Sequence, residues 1–351
     1  MFIMSKLISF TEAIRQATEE SMARDPSVIV MGLGVSYKNG ADGTMGILKE
    51  QYPNRVWDTP VSEFCNTGVG VGAAVTGMRP IIHHARVEFG LFAIDQIVTQ
   101  AAKWNYMFGG GNPVPIVFRL AVGRQWGNGP QHTQALYSLF GNVPGLKVVI
   151  PSSPKTAKGL LNSAVRDNNP VVYMEPRWLY GLKEEVSNFY YETPLDKARY
   201  IRRGNDITVV TYGDGVVDSI KAYDFLLTKG IQCEIIDLVS INPIDYDTVY
   251  ESVKKTGRLL CFDTTNGVFN VGSEIIAKVC TNRFSSLTQR PEQLSTPNTP
   301  CPTSTSLTEI YYPTRVDIIN RVLSMLGKDG YDEKMTFDEL HLSPKITVVT
   351  E

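Results

Sequence analysis

No stretch of this sequence approaches the roughly 20 consecutive apolar residues that a membrane-spanning helix needs. Its five cysteines (Cys65, Cys233, Cys261, Cys280 and Cys301) are odd in number, scattered and without C-x-x-C spacing. That argues against a disulfide frame or a cysteine zinc site, and for reduced thiols in a cytoplasm. Histidine is scarce: of the four, His83 and His84 are adjacent and on a strand would point to opposite faces, so no metal-ligand pattern forms. Neither sign of charge dominates, with 34 basic against 36 acidic residues interleaved and a formal net charge of -2. No electrostatic footprint for nucleic acid or an anionic membrane results. The opening "MFIMSKLISF" is apolar but lacks a basic leader and a small-residue cleavage site, so no signal peptide is expected. A P-loop is absent as well.

What is present is the composition of a soluble globular protein, 43% apolar and 20% charged, in a chain of 351 residues that suits two domains. Ser9 and Glu12 form the pattern of a capping box at the head of a first helix, with Pro26 beyond its end. "SVIVMGL" reads as a buried parallel strand, the small-residue stretch 64–76 as a tightly packed helix, and residues 79–85 as a strand. A helix over 93–107, strand "PVPIVFRLAV", loop "GRQWGNGPQHTQ", strand "LKVVIP", helix "SPKTAKGLLNSAVRDN" and strand "PVVYME" follow. Strands alternating with helices predict a parallel α/β sheet covered on both faces. The pattern lapses from about residue 182 to 203, then a second, smaller alternation runs to about residue 326. This places one α/β domain at 1–185, a linker at 186–203, a second α/β domain at 204–326 and a tail at 327–351.

Glycine-rich segments invite a nucleotide reading, yet "GLGVSYKNG" and "GVGVGAA" do not complete the dinucleotide fingerprint. "GDG" at 213–215, followed by Asn242, mimics a magnesium and diphosphate motif. Without the usual intervening features it reads as a strand-to-helix turn. More telling is "WDTPVSEFCNTGVGVGAAVTGMRP", where Glu63 is the last acid before an uncharged run that ends at Arg79. The ordinary reading is an acid favoured by a helix N-terminus. The alternative is a protonating acid in apolar surroundings. His132 lies in a loop shaped by Gly127, Gly129 and Pro130, at the edge where open α/β sheets bind ligands.

Together, "DTPVSEFCNTGVGVGAAVTGMRPI", "AIDQIVTQAAKWNYMFGG", "PVPIVFR", "GPQHTQ", "PGLKVVIPSSPKTAKGLL" and "RDNNPVV" resemble the β subunit of heteromeric 2-oxo acid dehydrogenases of the pyruvate dehydrogenase type. The resemblance implies a pyrimidine-binding domain followed by a transketolase C-terminal-type domain. It implies thiamine diphosphate as cofactor, with the magnesium and diphosphate site on a separate α subunit in an α₂β₂ assembly, and a lipoyl acyltransferase as a further partner. It casts Glu63 as the acid that hydrogen-bonds the cofactor's aminopyrimidine and shares a proton there. Such an acid must keep its proton available near neutral pH, and burial raises a carboxyl pKa. By the same resemblance Phe89 packs on the pyrimidine, and His132 handles protons or orients the substrate. A structural potassium ion falls to Ile116, Ala164, Asp167 and Asn169.

The chain departs from that pattern in three places. Gly32-Leu33-Gly34 stands where an acid is common, Arg177 and Trp178 enter at "MEPRWLYG", and Arg124, Gln125 and Trp126 enter the His132 loop. Arg124 and Arg177 are therefore candidate substrate residues, and they favour an alternative activity, transketolase-like carboligation onto a sugar-like acceptor. A non-catalytic homologue with a binding role is the other alternative, against which the retention of Glu63 and His132 counts.

Overall fold

The computed structural model describes residues 5–124 and 127–344; Gln125, Trp126 and the last residues of the expected tail lie outside them. The first half of the chain builds a seven-stranded sheet. Its order is Ser240–Asn242, Lys147–Val149, Val171–Pro176, Val117–Val122, Arg79–His84, Val28–Gly32 and Val56–Asp58. All pairings are parallel except the one made by Ser240–Asn242. The strands Val28–Gly32, Val117–Val122 and Val171–Pro176 are buried throughout, as expected for a parallel sheet covered on both faces. The second half builds a five-stranded sheet, Glu292–Thr296, Leu259–Asn266, Ile207–Thr211, Cys233–Asp237 and Arg199–Arg202, parallel but for the last.

The halves are interleaved rather than merely joined. Strand Ser240–Asn242 leaves the second sheet through Val239, at φ +62°, and becomes an edge of the first. There Ile150 N–H donates to Val239 O at 2.8 Å and the Ser240 hydroxyl to Val148 O at 3.1 Å. Two buried apolar clusters, one on each side of the sheets, both run through the two halves. A short antiparallel pair, Ser5–Ser9 with Lys183–Ser187, closes the start of the chain onto the end of the first half.

The first helix, Phe10–Arg24, is capped as expected, with Ser9 Oγ accepting from Glu12 N–H at 3.1 Å. The return half of the box is not made. The Glu12 carboxylate instead accepts from Gln16 and lies near Lys6 and Arg15, which outcompete a neutral backbone donor. The helix expected over 93–107 is a composite: a wide π-type turn over Asp95–Ala101 leads into an α-helix over Ala102–Met107. The short strand Val56–Asp58 carried too few residues to stand out in the sequence.

Candidate active site

Glu63 is the first residue of helix Glu63–Val75. The turn before it is held by Asn66 Nδ2, which donates to Pro60 O at 2.8 Å, and by Thr59 N–H, which donates to Gly32 O at 3.2 Å. Gly32 is required there: a Cβ would stand 2.5 Å from His83 O, so only glycine lets the strand end close on its neighbour. Glu63, Asn66, Gly32, Leu33, Ile82 and Phe89 line one shallow cleft whose enclosed part holds only about 20 Å³. That is room for one water, so this cleft does not by itself enclose a ligand-sized cavity.

The Glu63 carboxylate has no hydrogen bond or ion pair among the described residues and is half-buried. This corrects the expectation of an acid buried among apolar groups. Around it Val61, Phe64 and Val69 point outward, at 74%, 53% and 52% exposure. Exposed apolar side chains of this kind suit contact with another surface.

Phe89 joins Glu63 to the second candidate. Its ring meets that of His132 edge-on, with centroids 5.7 Å apart and planes at 72°. His132 Nδ1 is buried and has no hydrogen-bond partner. The loop that carries it is anchored by Glu88, a buried acid that no sequence motif singles out. Its Oε1 accepts from Gln134 N–H at 2.7 Å, while Oε2 has no partner. Burial raises the Glu88 pKa, opposed by the Gln134 N–H and by the charges of Arg86 and His132. The sequence clue was an acid directly beside Phe89.

His83 and His84 end strand Arg79–His84, and both are buried. His84 Nε2 lies 3.2 Å from Thr67 Oγ1, and burial lowers the His84 pKa to about 4. Neither His83 nitrogen has a partner, and burial, then the charges of Arg119 and His84, hold its pKa well below the usual value. On the adjacent strand Arg119 makes a fully buried ion pair with Glu175 at 2.8 Å.

The two arginines expected at the substrate do not stand free there. Arg124 is buried and paired with Asp214 at 2.9 Å and Asp218 at 2.8 Å. Arg177 is paired with Asp42 at 2.8 Å. Both cations answer acids that the folding chain brings from 90 or more residues away, which no local pattern revealed. "GDG" and Asn242 are likewise occupied. Asp214 serves Arg124 and the Thr264 hydroxyl, and Asn242 Nδ2 donates to Gly141 O at 3.2 Å. Among the described residues no group of three or more His, Cys, Asp or Glu could hold a metal ion.

Of the residues expected to hold potassium, Ala164 and Asp167 lie at the end of helix Pro154–Arg166 and Asn169 in the turn after it, while Ile116 precedes strand Val117–Val122. Val171 N–H donates to Ile116 O at 2.9 Å, and Asn169 N–H to Asp167 Oδ1 at 2.8 Å. Arg79 donates to the carbonyls of Val165 and Asp167 at 2.9 and 3.0 Å, and Lys147 pairs with the Asp167 carboxylate. This is the helix end whose dipole favours positive charge, and its carbonyls keep spare lone pairs.

Compared with known proteins, residues 6–183 match the family described as transketolase, pyrimidine-binding domain, and residues 196–318 match transketolase, C-terminal domain. The chain is 41% identical over 325 residues to the acetoin:2,6-dichlorophenolindophenol oxidoreductase subunit beta of Cupriavidus necator, covering 90% of this chain and 96% of that one. It is 39% identical over 316 residues to the pyruvate dehydrogenase E1 component subunit beta of Rickettsia bellii, covering 90% and 97%. Among solved structures, a split-gene transketolase described as an inactive beta4 tetramer superposes with a TM-score of 0.73 at 20% identity. That superposition covers 91% of this chain and 98% of the other.

Proposed function

Since the chain belongs to the β subunits of thiamine diphosphate-dependent 2-oxo acid and acetoin dehydrogenases, we propose that it supplies the Glu63, Phe89 and His132 wall of a catalytic site completed by an α subunit. The observation that carries this reading is the half-site itself. An unpaired acid and an aromatic ring line one shallow cleft, the His132 ring stands edge-on behind that aromatic ring, and exposed apolar side chains lie nearby in the chain.

Thiamine diphosphate, when bound, supplies the carbon nucleophile that attacks the substrate carbonyl. Glu63 fits it because its carboxylate has no competing partner and can share a proton with a ring nitrogen. Phe89 offers a flat face for the pyrimidine, and the half-buried imidazole of His132 can give or take a proton at the substrate oxygen. Magnesium and the diphosphate belong to the α subunit in this reading, since Asp214 and Asn242 are otherwise engaged. We assign an α₂β₂ assembly, a lipoyl acyltransferase as acceptor partner, and a cytoplasmic setting suited to five free thiols. None of the helices among the described residues is long and apolar enough to cross a membrane. The carboligase alternative loses its support, because Arg124 and Arg177, which suggested it, are both spent on internal acids.

Calorimetry tests the half-site directly. Thiamine diphosphate with magnesium is expected to give no measurable heat with this chain alone and saturable binding once the α subunit is added. Tight binding to the lone chain would overturn the division of labour. For potassium at the Asp167 helix end, we expect the melting temperature to rise by about 2 °C or more in KCl relative to choline chloride of equal ionic strength. Coincident melting curves would remove the ion from the proposal.

A further inference from the structure

We propose that Arg124 is a positioning residue, which ties the His132 loop to the second half of the chain and acts on turnover through His132 without touching substrate. The inference rests on the role of His132 proposed above.

Three segments converge on the guanidinium. Arg124 is 5% exposed, with one terminal nitrogen 2.9 Å from Asp214 Oδ2 and the other 2.8 Å from Asp218 Oδ2. These acids cap and begin helix Gly215–Thr228 of the second half. The ring of Trp178 lies 4.4 Å away and that of Tyr312 5.6 Å. Asp214 is itself fixed, since its Oδ1 accepts from the Thr264 hydroxyl at 3.0 Å. Two carboxylates and two aromatic faces hold a planar fork in one orientation, which a lysine could not reproduce.

The tie reaches His132 through the backbone. At Gly123, the residue before Arg124, an added Cβ would stand 2.8 Å from His132 O, so the two stretches of main chain are in contact. At Gly129 it would stand 2.3 Å from Thr303 Oγ1, so the loop leans on the second half there too. Its far end is held by Glu88 on Gln134 N–H. The His132 ring has no hydrogen bond at Nδ1, so its placement follows the loop and the edge-on contact with Phe89. Nor does packing alone fix that loop. Arg124, Gln131, Thr133 and Tyr137 border a cleft of about 420 Å³ between the halves.

The test uses the full β chain and the reconstituted α–β enzyme. By hydrogen-exchange mass spectrometry, Arg124→Met is expected to speed exchange of residues 127–136 about tenfold or more, leaving strand Val117–Val122 unchanged. Arg124→Lys should fall between, since an ammonium pairs with one carboxylate at a time. Turnover is followed on pyruvate and on acetoin with 2,6-dichlorophenolindophenol as acceptor. Arg124→Met is expected to lower kcat about tenfold with KM within twofold, and to cost nothing further when His132 is already alanine. If Arg124→Met does not fold, the Asp214→Asn, Asp218→Asn double variant loosens the tie from the other side. Unchanged exchange in 127–136, or an Arg124 effect undiminished in His132→Ala, would overturn the tie. Full turnover by His132→Ala would instead overturn the proposed role of His132 and leave the exchange result standing.

Discussion

Glu63→Gln is expected to lower turnover of the reconstituted enzyme by about 10²- to 10⁴-fold, the usual worth of a positioned proton-transfer group. Gln keeps the shape and one hydrogen-bond acceptor, but it cannot exchange a proton at that position. The folded chain should scarcely notice. Glu63 is half-buried and makes no hydrogen bond or ion pair, so the melting temperature should move by no more than about 1 °C. Steady-state kinetics beside a thermal melt separate the two effects. A variant within about threefold of wild type would sink the assignment, and an equal fall in stability would reduce Glu63 to a structural acid at a helix N-terminus.

The second large effect is acid sensitivity. His84 is buried with a pKa lowered to about 4, against an ordinary value of 6.5. The folded state therefore holds this ring neutral while the unfolded state takes up a proton. Stability is fully present above about pH 6.5, and it falls as pH drops through the window from 6.5 to 4. At pH 5 the loss from His84 alone is about 2 kcal/mol, at about 1.4 kcal/mol per pH unit. His83, displaced in the same direction by burial and the charge of Arg119, adds to it. Urea unfolding at pH 7.5 and pH 5.0 measures the difference, and His84→Asn should recover much of the His84 share. Equal stability at the two pH values would show that these rings are hydrated or protonated in the fold. The location matters for function, because both histidines line the cleft that holds Glu63.

Legibility in the sequence followed the range of the interactions. The alternation of buried strands and helices was plain because periodicity is a local property, as in "SVIVMGL", observed as strand Val28–Gly32. The small-residue run after Glu63 was equally readable as helix Glu63–Val75. Glu63, Phe89 and His132 could be named from motif and resemblance; Glu63 and Phe89 line one cleft, and the His132 ring lies edge-on to that of Phe89. Glu88 went unread because its partner is the backbone of Gln134, 46 residues on.

By itself the sequence determined the two α/β units, their order and the family, and it nominated the residues of the proposed half-site, since each rests on short-range pattern or motif. Only the tertiary structure decided how those units interlock and what the departures from the family mean. Arg124 and Arg177 look like substrate cations until the chain closes and sets Asp214, Asp218 and Asp42 against them. Strand Ser240–Asn242 looks like part of the second unit until it pairs with Lys147–Val149 of the first. A charge is assigned by what lies within a few ångströms of it, and over separations of 90 residues that neighbour is chosen by the fold and not by the local order of amino acids.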